Sequence, residues 1–136
     1  MAKSVLTNVF ISLGGTDLST YCTKAEYKRS AEDKETTNYG SLGSKEFIGG
    51  LRSGSLELEF LNDFATGLLD SIMDALVGTV VAFEIRPTQA VVGVSNPKRT
   101  GNVLIDSWDA ISGGVGDLAS VKCSYPTSGV VARAVA

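Results

Sequence analysis

Histidine is absent from this chain of 136 residues. Its absence removes the side chain that most often serves as general base near neutral pH and most often ligates metals. Proline is scarce at 3 residues, tryptophan occurs once and aromatic residues make up only 7%. So few aromatics argue against a ligand-binding barrel with a stacked aromatic cavity. No run of about 18 apolar residues is present, so no transmembrane helix is expected. Thr7, Asn8 and Ser12 interrupt the first apolar residues, and a signal peptide is not expected either. No asparagine is followed two places later by Ser or Thr, which excludes the N-glycosylation sequon. The two cysteines, Cys22 and Cys123, are far apart in sequence. They are expected as reduced, packed thiols made in a cytoplasm, with one disulfide as the alternative. Neither has a histidine to activate it as a nucleophile.

What remains is the composition of one folded domain spanning residues 1–136, with 43% apolar and 20% charged residues. The net charge of −3 does not suit wrapping around nucleic acid through phosphate contacts, which needs clustered Lys and Arg. Glycine, at 15 residues, fits many turns between short strands.

The dominant periodicity is two, the period of strands. Val5, Thr7, Val9 and Ile11 alternate with Leu6, Asn8 and Phe10, and Gly14-Gly15-Thr16-Asp17 marks a turn. Residues 21–28 alternate again, and 29–38 form a charge-rich polar run expected as solvated loop. A long Gly-rich loop, about 30–50, then leads into the cleanest strand, 55–60. There Leu56, Leu58 and Phe60 face one side while Glu57 and Glu59 face the other. One helix is expected over about 62–77. Asn62 is its N-cap and Asp63 stands at the positive end of its dipole; Phe64, Leu68, Leu69, Ile72, Met73 and Leu76 form the apolar stripe, and Gly78 ends it. Strands follow at 78–86, 101–108, 118–125 and 129–135. Roughly seven strands, one helix and closely spaced turns predict a mainly β fold, an antiparallel sandwich or partial barrel with one flanking helix.

Motifs of chemistry fail on spacing. Gly40-Ser41-Leu42-Gly43-Ser44-Lys45 has too few residues between its glycines for a phosphate loop and leads into a strand. Gly113-Gly114-Val115-Gly116 lacks a following helix N-terminus. Glu57 and Glu59 share a strand face, but no aromatic-lined cleft accompanies them as glycoside hydrolysis would require. An enzyme is therefore not expected, and neither a cofactor nor a metal.

Several phrases in order carry a resemblance: Ser12-Leu13-Gly14-Gly15-Thr16-Asp17-Leu18-Ser19, Thr37-Asn38-Tyr39-Gly40, Gly50-Leu51-Arg52-Ser53-Gly54-Ser55, Asn96-Pro97 and Gly114-Val115-Gly116-Asp117. The chain resembles the major tail tube proteins of long-tailed bacteriophages, especially those of actinobacterial hosts. The resemblance spans most of the chain and rests on turn residues rather than catalytic signatures. It implies a structural virion protein made in the host bacterial cytoplasm. Such subunits form hexameric rings that stack into a tube, and DNA passes through the lumen without specific binding. Partners would be further copies of the chain and other tail proteins at the tube ends, with no membrane. A minimal subunit is implied, without an added immunoglobulin-like domain.

The resemblance also places the 30–50 loop as an arm between subunits and rings, ordering on assembly. Tyr39, Phe47, Ile48 and Leu51 would be its apolar anchors, with Arg52 in the same contact. Glu57, Glu59, Glu84 and Asp106 are candidates for an acidic lumen that keeps DNA from sticking. The alternatives are another virion structural protein (tail terminator, head–tail connector or capsid decoration protein) or a monomeric ligand-binding β-barrel.

Overall fold

The computed structural model describes residues 3–136; of the amino-terminal segment read above, Met1 and Ala2 lie outside the described residues. Seven strands and one helix follow in the order β1 (Phe10–Leu13), β2 (Thr16–Asp17), β3 (Cys22–Glu35), β4 (Phe47–Leu61), α1 (Leu69–Leu76), β5 (Val80–Arg86), β6 (Lys98–Leu104) and β7 (Ser120–Ala134). All pairings are antiparallel, and the spatial order is β2-β1-β5-β6-β7-β4-β3. The sheet is mainly β as expected and does not close into a barrel.

The first hairpin follows from its turn. Leu13 pairs with Thr16 across Gly14 and Gly15, both at positive φ, so the two-residue loop has the primed geometry that matches strand twist. The first strand begins only at Phe10, later than the alternation from Val5 suggests.

β7 joins the two halves of the sheet. Its residues 120–126 pair with β4, and 127–134 pair with β6. Between Thr100 and Asn102 the β6–β7 register is irregular, with Gly129 at φ 83° on the bulged strand. Such a bulge bends a strand and raises its twist. The result is a sheet that curls onto itself. Tyr27 on β3 and Phe83 on β5 have three strands between them, which in a flat sheet would put them roughly 19 Å apart. Their ring centroids are 6.2 Å apart.

The space enclosed by the curl is the core. Leu56, Leu58 and Phe60 of β4 and Val121 and Tyr125 of β7 face Ile11, Leu13, Phe83 and Val103 from the other half. The alternation read from residues 55–60 is thus the burial pattern observed.

The helix differs from its expected span. It begins at Leu69, and its N-cap Leu68 makes no side-chain cap. Gly67, at φ 79°, is in the left-handed region and stops helical geometry from extending back to residue 62. Asn62 holds a loop instead: its Nδ2 donates to the Ala110 carbonyl at 2.9 Å, and its Oδ1 accepts from the Asp63 amide. Asp63 caps a turn by accepting from the Ala65 amide. Phe64 is exposed, while Leu69 and Met73 are buried and Ile72 and Leu76 pack beside them. Gly78, at φ 85°, does follow the helix end as expected.

The largest correction concerns residues 30–50. The segment expected as a loop is mostly paired: β3 and β4 form one long hairpin, with Glu35 opposite Phe47 and Arg29 opposite Gly54. Beyond Arg29 the strands leave the core, neither face is buried, and the apolar alternation that signals a strand has no reason to exist. The backbone ladder alone defines them, in the single chain. Likewise the strand expected at 101–108 lies at Lys98–Leu104, and the two strands expected at 118–125 and 129–135 are one continuous β7.

Candidate functional site: the hairpin arm, a charged face and an arginine cleft

The arm's tip is built by short polar side chains. Asn38 Oδ1 accepts from the Gly40 amide at 2.8 Å, and the Ser41 hydroxyl accepts from the Asn38 amide at 3.1 Å. Ser41 Oγ also donates to Glu46 Oε2 at 3.0 Å, and the Thr36 amide donates to the Glu46 carbonyl at 2.8 Å. This reciprocal cap holds a single 3-10 turn, Tyr39–Ser41. Leu42 follows at φ 52°, the left-handed conformation that costs a leucine roughly 1–2 kcal/mol. Four of the expected anchors, Tyr39, Phe47, Ile48 and Leu51, are exposed, with Tyr39 fully so; Arg52 is exposed beside them, opposite Ala31. Leu42, which the sequence reading passed over, is 90% exposed.

The second surface is the outer face of β3, β4 and β7. Register places Lys24, Glu59 and Lys122 in one row and Glu26, Glu57 and Ser124 in the next. Glu26 and Glu57 stand directly opposite, a repulsive pairing that Lys28 offsets from 3.7 and 3.6 Å. Lys122 lies 3.4 Å from Glu59. These pairs are solvent-exposed and worth little individually. Three lysines and three glutamates nevertheless make the face charge-balanced.

The fold brings only two of the four candidate acids together. Glu57 and Glu59 share this face. Glu84 lies on the outer face of the other half, between Ser12 and Thr100. Its Oε2 is 3.2 Å from Arg86 Nε, in an ion pair that lacks hydrogen-bond alignment. Arg86 is otherwise held by donating from Nη1 to the Ala90 carbonyl and by stacking 4.1 Å from the centre of the Phe10 ring. Asp106 is exposed beyond the end of β6, beside the Ser107 hydroxyl.

The third surface had no sequence signal. Toward the end of the curl away from α1, the inner space opens as a cleft of about 430 Å³. Its walls include Tyr27, Ile85 and Val131, and its charges are Arg29, Arg99 and Arg133, with Arg86 at the rim. Arg99 is directly opposite Arg133, and Ile85 precedes them in the same row. The Arg99 guanidinium is 6.0 Å from the centre of the Tyr27 ring, at the outer reach of a cation–π contact. Among the described residues no acid forms an ion pair with Arg29, Arg99 or Arg133. The arginines are dispersed in sequence and only register assembles them.

The cysteines sit where packing needs them. Cys123 Sγ lies 3.5 Å from the Leu58 carbonyl, and burial pushes its thiol up to about 11. Burial also raises Cys22, against the opposing effect of backbone hydrogen bonds. Both thiols are free. Among the described residues no three His, Cys, Asp or Glu side chains group as a metal site would require, and no helix is long and apolar enough to cross a membrane.

No family model and no curated protein matches the sequence. The fold does match solved structures. A chain of the virion of a native gene transfer agent particle superposes with a TM-score of 0.75, covering 93% of this chain and 95% of that one at 20% identity. The two chains share a fold. A chain from the tail of an empty gene transfer agent particle, refined with helical C6 symmetry, gives a TM-score of 0.71 over 93% and 94% of the two chains at 18% identity. At such identities the likeness is one of fold, and it extends over nearly the whole of each chain.

Proposed function

We propose that this protein is a structural subunit of a phage-type tail, and specifically of the tail tube, in which stacked sixfold rings enclose a channel for DNA. The observation that carries the reading is the β3–β4 arm. It projects Tyr39, Leu42, Ile48 and Leu51 into solvent, in a fold shared with a chain from a C6-symmetric tail. Exposed apolar residues along a projecting arm point to contact with another macromolecule. Leu42 adds to this: a local cost at a tip position that glycine would fill without strain is characteristic of functional segments. Open edges at β2 and β3 are a second incentive, since an unpaired edge invites another chain.

In this reading Tyr39, Phe47, Ile48, Leu51 and Arg52 contact neighbouring copies within and between rings. Glu57 and Glu59 are the candidate lumen acids, on a face whose lysines cancel their charge. Such a face neither gathers phosphates nor strongly repels them, and DNA passes by exclusion of binding rather than by a strong field. Glu84, tied to Arg86, and Asp106, on another surface, are the weaker lumen candidates. The subunit acts in the virion, with other tail proteins at the tube ends.

Negative-stain electron microscopy of the purified protein across a concentration series tests the reading. Rings or hollow tubes of uniform width are expected. Discrete monomers at every concentration would overturn self-assembly of the chain.

A further inference from the structure

We propose that the arginine cleft is the receptor for the hairpin arm of a second copy of this chain, which inserts the face carrying Phe47, Asp33 and Glu35. The inference rests on the self-assembly reading above and names the surface that receives the arm.

Three observations converge on it. Arg99 and Arg133 are directly opposite on adjacent strands, an arrangement that destabilises a sheet, and no acid of the chain offsets it among the described residues. The arginines line an apolar cleft with Tyr27, Ile85 and Val131, so an occupant must offer both negative charge and an apolar group. The arm offers both on one face. Glu35 is opposite Phe47 and Asp33 is opposite Gly49, which places both acids and the ring on one side of the hairpin. Glu32, on the other side, is already paired with Lys34 at 3.2 Å, whereas Asp33 and Glu35 form no ion pair among the described residues.

The arm cannot serve its own cleft. Arg29 stands at the arm's root, and six extended residues carry Glu35 roughly 20 Å away along paired strands that do not fold back. The occupant is therefore another copy. A cleft of about 430 Å³ lies in the range that encloses small ligands, ample for an aromatic ring flanked by carboxylates. Each subunit carries one arm and one cleft on different surfaces, so the contact is head-to-tail and propagates around a ring or along a stack.

Charge reversal on the full chain tests this by sedimentation velocity. One variant carries Arg99→Glu with Arg133→Glu; the other carries Asp33→Lys with Glu35→Lys. Each alone sets like charge against like. Each is expected to need at least about tenfold higher concentration than the parent to associate. An equimolar mixture restores opposite charges at every arm–cleft contact and is expected to assemble near the parent's concentration. Parent assembly should also weaken from 0.05 to 0.5 M salt as screening grows. Circular dichroism confirms folding, and the milder Asp33→Asn with Glu35→Asn, on exposed arm positions, stands in if the arginine variant does not fold. If the parent assembles and the reversed variants assemble equally well, or the mixture fails to recover, the arm–cleft contact is wrong while self-assembly stands. A parent that remains monomeric throughout overturns both.

Discussion

Trp108 Nε1 donates a hydrogen bond to Asp70 Oδ1 at 3.1 Å, and the same indole packs against Phe60 with ring centroids 6.2 Å apart. One side chain thus ties the segment after β6 to both the helix and the core. Tyr125 reinforces the same segment by donating from its hydroxyl to the Ser107 carbonyl at 2.9 Å. Trp108→Phe keeps most of the packing and loses the bond. A loss of about 1 kcal/mol is expected in urea unfolding. No change would show that the helix is held by its apolar contacts without the bond.

The contact between Tyr27 and Phe83 closes the curl of the sheet. Phe83→Ala removes a buried ring and leaves a cavity where the two halves meet. A loss of about 3–5 kcal/mol is expected. Thermal melting measured by circular dichroism reads it, and a loss below about 1 kcal/mol would mean that the halves are independent of this contact.

Gly101 is a test of close approach. A Cβ there would lie 2.9 Å from Val131 Cγ2 and 3.2 Å from the Phe83 ring. Gly101→Val forces the β6–β7 bulge apart and is expected to cost about 1–3 kcal/mol. Retained stability would show that the bulge yields freely.

The arm is expected to behave oppositely to the core. Tyr39→Asp and Phe47→Asp change exposed residues and should leave stability within about 0.5 kcal/mol of the parent. Assembly seen by electron microscopy should be lost. Normal rings or tubes from both variants would remove the arm from the assembly contact.

Alkaline pH probes the buried thiol. Burial is the main cause pushing the Cys123 thiol in the folded protein up from 9.0 to about 11. Between those values the unfolded chain has released a proton that the folded chain still holds. Stability therefore falls as pH rises through that window, by on the order of 2–3 kcal/mol from this group, and is unaffected by it below the window. Burial of Tyr125 acts in the same direction above the ordinary tyrosine range. Cys123→Ala should flatten the fall between pH 9 and 11, measured by urea unfolding at each pH. An unchanged slope would assign the alkaline loss elsewhere.

The strand 55–60, the Gly14–Gly15 turn and the apolar stripe through Leu69 and Met73 were all legible in the residues. Each depends on local rules, namely period-two burial, positive φ at glycine and helical spacing. The arm shows where that reading stops. Its strands are polar on both sides because they leave the core, so periodicity had nothing to report and a loop was expected in their place. The helix start failed for a related reason. Asn62 and Asp63 have capping chemistry, but Gly67 and the distant Ala110 carbonyl direct them to a loop.

The candidate site divides in the same way. Tyr39, Phe47, Ile48 and Leu51 stand out in the sequence as apolar residues in a polar segment, the resemblance gives them their expected role, and the structure shows them exposed. The cleft was not visible there: Arg29, Arg99 and Arg133 belong to three strands, and only the bend of β7 and the β5–β6–β7 register place them around one opening. The acids were read as one group, yet they divide among separate surfaces because strand order, not sequence order, decides which faces meet. The sequence by itself determined the alternation and the turns, both set by neighbours a few residues apart. Only the tertiary structure decided which charges stand together, because long-range register places residues distant in the chain side by side.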